Sequence, residues 1–380
     1  MFSLWGCRRP NLENVDEFWS CHLPHIRALT SLRFLAALWV IMLHFRYGPL
    51  AEQMPLSFLF AKGFLGVPVF FILSGFILSY TYAGKASGVT WTGATLRSYL
   101  VARFARIYPV YIVILLAFPI AFLPLGIWPP LKPDTLETFF LSVFMIQSWG
   151  FTKNLVWNQS AWSVSSEFFC YLIFPGLMII LAYVPRVLSW PLLAIGSYAI
   201  LTRQPEAALL SVWPSAAQDA PVLLMTLHFF WLFVLGCLVF RAFDSHSIRI
   251  GPAVSSGAIA AAFGSIVWLA TMDGTDAWIC LAMAALIYLI AAGSGPLRGT
   301  LGWRPFVYLG EISYSLYLIH EPAREAMYWV AKTRSLPFWL ELAILIVTAS
   351  VLFHAVEQPC RRLIRRWATR PGAVPVPATT

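Results

Sequence analysis

Charged side chains are scarce in this sequence, and their scarcity excludes a soluble globular fold. Asp, Glu, Lys and Arg make up 11% of the 380 residues, whereas soluble domains carry about 25%. Hydrophobic residues make up 59% of the chain and are spread along almost its whole length. A single membrane anchor on a soluble domain is therefore excluded too, and the composition predicts an all-α, polytopic integral membrane helical bundle.

The six cysteines lack the spacing of a disulfide framework or of a zinc site. They are scattered, without a Cys-x-x-Cys pair or Cys/His pairs at ligand spacing, and we expect no metal. The sequence also lacks a signal-peptide pattern, because its first apolar run is too long for a signal-peptide core and no small-residue cleavage site follows it. Internal repeats and soluble domains are not visible either.

The formal net charge of +9 does not indicate a nucleic-acid partner. The cations stand in short stretches between apolar runs, which is the pattern that orients a protein in a lipid bilayer. One apolar segment, 136–149, is shorter than the roughly 17 residues that a spanning helix needs. The longer runs are predicted to span the membrane at about 28–47, 57–82, 103–125, 162–184, 187–202, 221–241, 251–271, 277–293, 306–329 and 338–357.

The loop charges predict about ten transmembrane helices with both termini in the cytosol. Most Lys and Arg fall on the inner side only if 136–149 does not cross the bilayer, which makes that segment re-entrant or interfacial. Residues 1–26 are then a cytosolic lead, and residues 27–366 form the membrane domain. The Pro-rich residues 367–380 are predicted to be a disordered cytosolic tail.

The first predicted span contains one arginine and one histidine in otherwise apolar surroundings. Arg33 and His44 are separated by about 1,100° of helical rotation, roughly 20° past three full turns, and by about 16 Å of rise. The two side chains therefore share a face. Ionisable residues inside a span normally face the protein interior and serve a function. The alternative is that Arg33 snorkels to the headgroups and that His44 marks the far interface.

Three arginines are predicted to lie towards the cytosolic side. Arg103 and Arg106 have i, i+3 spacing at the mouth of the third span, and Arg33 lies deeper in the first. Guanidinium groups bind phosphate bidentately, so this cluster favours a phosphorylated ligand. Ordinary anchoring of the chain at the inner surface is the alternative for the two arginines at the mouth.

The opposite, outer side is predicted to hold His44 and Glu167. Histidine is the most frequent general base, and a neighbouring carboxylate can orient its ring or stabilise the imidazolium. A capping role is equally compatible with the pattern: Ser163 or Ser165 caps the fourth span, and Glu167 serves its first turn. Four further residues of the outer side are predicted to contact an acceptor substrate: Trp162, Ser165, Tyr317 and His320.

The two predicted sites are connected by the first helix. A cationic phosphate site on the inside and a histidine on the outside are what is needed to pass an acyl group from a cytosolic nucleotide thioester to an external hydroxyl. The pantetheine arm of coenzyme A is long enough in principle to cover the helical rise of about 16 Å. The protein would then supply phosphate binding, positioning and a base.

The stretch from Ser31 to His44 resembles the Arg-x10-His motif of the membrane acyltransferase-3 family. The resemblance covers about residues 29–366, and its motifs are specific as an ordered set. The further stretches that match, in the same order along the chain, are Gly66–Phe76, Arg103–Arg106, Trp162–Glu167, Gly310–His320 and Glu357–Pro359.

The resemblance implies an enzyme of the bacterial inner membrane that uses acyl-CoA, usually acetyl-CoA, to O-acylate sugars. Acceptors in the family include exopolysaccharides, O-antigens, peptidoglycan and antibiotics. His44 would be catalytic, and Arg33, Arg103 and Arg106 would bind or position the acyl-CoA; Glu167 is a looser match. Some members carry a fused extracytoplasmic hydrolase-like domain. No such domain is visible in this sequence, so we expect the chain to act alone or with a separate polysaccharide-assembly protein.

Two other functions are compatible with a polytopic chain of the polysaccharide pathway. In a transporter or flippase, Arg33, His44 and Glu167 would form an ion path. Such a protein is predicted to have paired halves with broken helices, and the sequence shows no such symmetry. An assembly subunit of an export machine would leave Arg33 and His44 without a chemical role.

Overall fold

The computed structural model describes residues 26–45, 57–86, 91–122, 133–152, 157–202, 222–245, 251–330 and 336–368. Every regular element in these ranges is helical. The α-helices are α1 (Arg27–Phe45), α2 (Ser57–Ala61), α3 (Gly66–Ala86), α4 (Gly93–Phe122), α5 (Pro133–Val143), α6 (Trp162–Tyr183), α7 (Ser189–Thr202), α8 (Val222–Ser245), α9 (Pro252–Ala270), α10 (Asp276–Ala292), α11 (Pro296–Leu301), α12 (Arg304–Val330), α13 (Phe338–Leu352) and α14 (Gln358–Ala368). The 3₁₀ turns are Gly63–Leu65, Gln159–Ala161 and Arg186–Leu188, and Phe353–Glu357 forms a π-turn between α13 and α14.

Seven stretches of the described chain are long and apolar enough to cross a membrane. They are Arg27–Phe45, Gly63–Tyr82, Gly93–Ala117, Gln159–Tyr183, Leu223–Ser245, Pro252–Ala270 and Phe338–Ile364. Helices α7 and α10 are shorter, with 14 and 17 residues, and the 27-residue α12 is more polar. The all-α membrane bundle is therefore confirmed, while ten spans and two cytosolic termini stay predictions. The predicted lead and tail lie outside the described residues except where they adjoin the bundle.

The segment predicted not to cross the bilayer contains α5 and a buried loop after it. Helix α5 has 11 residues and rises about 16 Å, which is too short for a span. The chain then turns at Met145, whose φ of 56° is uncommon for a residue with a side chain. Met145, Gln147 and Ser148 are all buried, so the loop after α5 enters the interior of the protein before it returns to the surface at Phe151.

Helix α1 lies between α3 and α12, and glycines set both contacts. A Cβ atom at Gly66 of α3 would overlap the carbonyl of Ala36, and one at Gly310 of α12 would overlap the carbonyl of Thr30. Small residues allow membrane helices to approach this closely. The central helix that carries Arg33 and His44 is therefore held on two sides by backbone contact.

The outer surface of the bundle is apolar, as contact with lipid requires. Large hydrophobic side chains such as Ile180, Ile195, Val254 and Val347 are more than half exposed. Several polar side chains of the same helices, among them Ser165 and Ser255, are buried inside the bundle instead. Functional side chains are therefore to be sought in the interior, between α1 and its neighbours.

The close contact at Gly310 can be tested by adding one methyl group. We expect Gly310→Ala to lower the midpoint of thermal unfolding in detergent, because overpacking costs about 1–3 kcal/mol. Gly264→Ala in α9 is the matched control, since nothing lies within 4 Å of a Cβ at that position and alanine favours a helix. Equal midpoints for the two variants would contradict this account of the α1–α12 contact.

Candidate active site

His44 lies at the end of α1 and contacts a carboxylate of α12. Its Nε2 is 3.1 Å from Glu321 Oε1, and the two side chains are 27% and 15% exposed. His44 Nδ1 is 2.9 Å from the carbonyl oxygen of Val40, one turn earlier in α1. Arg324 donates a 2.7 Å hydrogen bond to the carbonyl of His44 and so covers the end of the helix. His44 is thus oriented by a carboxylate but remains partly accessible.

A second histidine, His320, lies beside the first and is fully buried. The two rings meet edge to face with centroids 4.8 Å apart, and His320 Nε2 is 3.3 Å from His44 Nδ1. His320 Nδ1 bonds to the carbonyl of Tyr317, and a carbonyl only accepts. In the neutral ring, the other nitrogen therefore carries the lone pair and presents it to His44.

The 3₁₀ turn before α6 completes the site. The backbone N–H of Ser160 donates to Glu321 Oε2 at 2.8 Å, and Asn158 Nδ2 donates to the carbonyl of Leu318 at 2.9 Å. Both oxygens of Glu321 are thus engaged, one by His44 and one by the turn. We call His44, Ser160, His320, Glu321 and Arg324 the histidine site.

Three side chains of the histidine site are also close enough to hold one metal ion. Ligand atoms of His44, His320 and Glu321 all lie within 4.8 Å of one another. The direct contact between His44 and Glu321 nevertheless satisfies both groups by hydrogen bonding. We therefore assign no metal role to the three, and the expected absence of a metal stays a prediction.

Tyr317, one of the predicted substrate contacts, lies directly below the histidine site. Its hydroxyl is 2.8 Å from Ser163 Oγ and donates to the carbonyl of Ser160 at 3.2 Å. The ring packs on Phe70 and on His320, with centroids 5.6 Å away in each case. His320 thus contacts His44 directly and Tyr317 contacts His320, both from buried positions, and their role as substrate contacts stays a prediction.

Ser165 and Trp162, the other two predicted substrate contacts, have partners within the protein. Ser165 Oγ donates to the carbonyl of Met145 at 2.7 Å and accepts from the N–H of Ser148 at 3.2 Å. Trp162 packs on Phe229 with ring centroids 4.9 Å apart. The structure therefore gives Ser165 the task of fixing the buried loop after α5.

Glu167, predicted as the carboxylate beside His44, lies elsewhere. Its Oε1 accepts hydrogen bonds from Tyr171 at 2.5 Å and from Ser74 at 3.0 Å, while Glu321 occupies the place beside His44. The capping alternative is not found either, since the N-terminus of α6 has no side-chain cap. The predicted pairing is thus corrected. The positions of Glu167 and Glu321 along the chain do not indicate which of the two carboxylates packs against His44.

The surroundings of Glu167 are the predicted arginines. Arg33 and Arg103 both interact electrostatically with it, and Arg103 lies over the Tyr171 ring at 6.0 Å. Among the described residues, Arg33 has no hydrogen bond or ion pair, and the buried Nε of Arg103 has no acceptor. Buried donors are nearly always satisfied, so this group has an unused donor that an anionic ligand could engage. We call Arg33, Arg103, Glu167 and Tyr171 the arginine site.

Arg106 differs from the other two arginines. It forms an ion pair with Glu357, which is fully buried in the π-turn. The second oxygen of Glu357 accepts a 3.0 Å hydrogen bond from Ser315, and the Arg106 guanidinium lies 5.7 Å from the centre of the Tyr314 ring. The predicted trio of arginines is thus divided into two open cations and one paired cation.

Comparison with known proteins gives concordant results over nearly the whole chain. The family model described as an acyltransferase domain matches residues 26–355. The chain is similar to Acyltransferase MdmB of Streptomyces mycarofaciens, with 32% identity over 93% of this chain and 95% of that protein. No solved structure matches it.

Two longer proteins are also similar to this chain. The peptidoglycan O-acetyltransferase OatA of Listeria monocytogenes is 24% identical over 89% of this chain and 56% of its own length. The putative peptidoglycan O-acetyltransferase YrhL of Bacillus subtilis is 23% identical over 90% of this chain and 55% of its own length. The chain therefore spans just over half the length of these two relatives.

The assignment of Ser165 to the buried loop generates a stability test. We expect Ser165→Ala to lower the thermal midpoint in detergent, because two buried backbone groups lose their partner at about 1–3 kcal/mol each. Ser265→Ala is the control, since that hydroxyl bonds only to the carbonyl of Ala262 in its own helix. An unchanged midpoint in Ser165→Ala would refute the assignment.

Proposed function

This chain belongs to the acyltransferase-3 family and is an integral membrane O-acyltransferase, and from that premise we propose its donor, acceptor and catalytic residues. The donor is acyl-CoA, with acetyl-CoA as the first candidate, bound at the arginine site. The acceptor is a sugar hydroxyl presented at the histidine site. The sugar belongs to an exopolysaccharide, a lipopolysaccharide or a lipid-linked oligosaccharide at the bacterial inner membrane.

One observation carries this proposal: α1 contributes a residue to each of the two sites. Arg33 and His44 lie about 16 Å apart along the helix, and other helices complete each site around them. A donor with a charged head and a long, uncharged arm matches this separation. With the arginine site on the cytosolic side, the head of acyl-CoA stays at the inner surface while its thioester reaches His44.

The donor head is recognised by charge. Arg33 makes no hydrogen bond or ion pair with the described residues, and the buried Nε of Arg103 has no acceptor among them. Guanidinium groups bind phosphate oxygens bidentately. Glu167 is held on one oxygen by Ser74 and Tyr171. It offsets part of the positive charge while the site is empty, which lowers the cost of burying two cations.

The chemical step is acyl transfer from sulfur to oxygen. The acceptor hydroxyl attacks the thioester carbonyl carbon and gives its proton to Nε2 of His44, because Nδ1 already donates to the carbonyl of Val40. The carbon–sulfur bond then breaks, and the leaving thiolate takes that proton back from His44. Both nitrogens of His44 face acceptors, namely Glu321 on one side and Val40 and His320 on the other. The surroundings are therefore complementary to the protonated ring, which forms as the hydroxyl loses its proton.

Two observations support a sugar hydroxyl as the acceptor, namely the names of two similar proteins and the chemistry of the histidine site. The two longer relatives are named peptidoglycan O-acetyltransferases, and a sugar hydroxyl is the corresponding acceptor here. His44 is the partly accessible histidine of the site, so the acceptor hydroxyl is placed against it. Polysaccharide-assembly proteins would present the acceptor.

Acyl transfer by the purified protein in liposomes tests the proposal. We expect wild type to release label from labelled acetyl-CoA and His44→Ala to lose about 10²–10⁴-fold in rate, the contribution of a general base. Arg33→Ala should raise KM for acetyl-CoA. The control is His354→Ala, which removes an exposed histidine bonded to Ser350 of its own helix. Full turnover in a folded His44→Ala protein would refute the assigned role.

The role of Glu321 has a separate test. We expect Glu321→Gln to lower kcat at least about tenfold with an unchanged KM for acetyl-CoA, because the amide no longer stabilises the imidazolium. The matched control is Glu325→Gln, which removes a 40% exposed carboxylate one turn along α12 that contacts Arg324 at 3.4 Å. If the two variants lose kcat equally, Glu321 does not act through His44.

A further inference from the structure

We propose that Glu357 and Arg106 are positioning residues, and that Arg106 holds α4 in place rather than binding the acyl donor. The inference rests on the proposed donor site and refines it, because only Arg33 and Arg103 are then left to contact donor phosphate.

The first step is the burial of Glu357. Its side chain is fully buried at a π-turn between α13 and α14. A buried carboxylate needs charge partners and hydrogen bonds, and Glu357 has both. Arg106 Nη1 and Arg361 Nη1 lie on Oε1, the latter at 3.5 Å, and Ser315 donates to Oε2 at 3.0 Å. The carboxylate thereby joins α4, α12 and the C-terminal helix.

The turn of α4 that carries Arg106 is held against α12 by two neighbouring contacts. Next to Arg106, the carbonyl of Ile107 accepts a 2.5 Å hydrogen bond from Tyr314 of α12, and Arg106 itself stacks over the Tyr314 ring at 5.7 Å. Two adjacent contacts therefore fix this turn of α4. Arg103 is one turn away on the same face, so the pair Arg106–Glu357 determines where the Arg103 guanidinium lies.

Arg103 and Arg106 of α4 differ in whether their charge is paired. The charge of Arg106 is already opposed by the buried carboxylate of Glu357. A phosphate that bound Arg106 would therefore be placed next to this carboxylate, and the two anions would repel each other. Arg103 has its Nε buried without an acceptor. Identical residue types three positions apart thus have different tasks, since one is neutralised and the other is open to a ligand.

A mutant cycle measured as KM for acetyl-CoA tests the inference. We expect Arg106→Gln and Glu357→Gln each to raise KM about tenfold, because either change frees the turn that carries Arg103. In an Arg103→Gln background, neither should raise KM by more than about twofold, since the residue through which they act is already gone. Partial unfolding lowers the apparent kcat and leaves KM unchanged, so KM separates positioning from loss of folded protein.

The control and the contrary outcomes are defined by the same assay. Arg186→Gln and Asp244→Asn remove an ion pair whose side chains are 63% and 43% exposed, and we expect both to leave KM unchanged. A full additional rise for Arg106→Gln in the Arg103→Gln background would show a direct donor contact and overturn the inference. A Glu357→Gln variant whose KM for acetyl-CoA equals that of wild type would also overturn the inference.

The wild-type arm separates this inference from the function on which it rests. If wild type turns over acetyl-CoA but the effects of the Arg103 and Arg106 substitutions on KM are additive, the positioning role is overturned and the proposed donor is not. A wild type that neither turns over acetyl-CoA nor gains thermal stability from CoA overturns the proposed donor, and the positioning role with it.

Discussion

The cost of placing charge inside a membrane protein governs the arrangement of this molecule. Helix α1 carries Arg33 and His44 into the bundle, and each needs partners that lipid does not provide. His44 obtains a carboxylate and a second histidine from α12. Arg33 is left near Glu167 without a direct bond among the described residues. One end of α1 is therefore satisfied by the protein, and the other retains capacity for a ligand.

Close backbone packing makes these partnerships possible. Gly66 and Gly310 bring α3 and α12 against α1, so Glu321 and His320 reach His44 with short side chains and well-defined geometry. The turn before α6 then fixes Glu321 from the opposite side through the N–H of Ser160. Side chains held by helices in contact are positioned more accurately than side chains on loops, which suits the role of base that we propose for His44.

The sequence allowed the helices, the shared face of Arg33 and His44, and the cluster of arginines to be predicted, because each depends on spacing along one helix. It did not allow the partners across helices to be chosen. Glu167 and Glu321 both lie within predicted spans, and only the packing of α12 on α1 selects Glu321 for His44. Ser165 has the same difficulty, since its partner Met145 belongs to a loop whose course has no periodic signal.

Arg103 and Arg106 have different partners although they have the same residue type and neighbouring positions. Their i, i+3 spacing places both on one face of α4, so the sequence treats them alike. Glu357, a buried carboxylate 251 residues later in the chain than Arg106, removes that equivalence by pairing with Arg106 alone of the two. In the proposed reaction the acyl donor reaches from the arginine site to His44, and the pair Arg106–Glu357 would hold one end of that path as Glu321 would hold the other. Because Arg33 and His44 lie on one helix with a rise of about 16 Å between them, the proposed transfer relies on the arm of the donor to cover that rise.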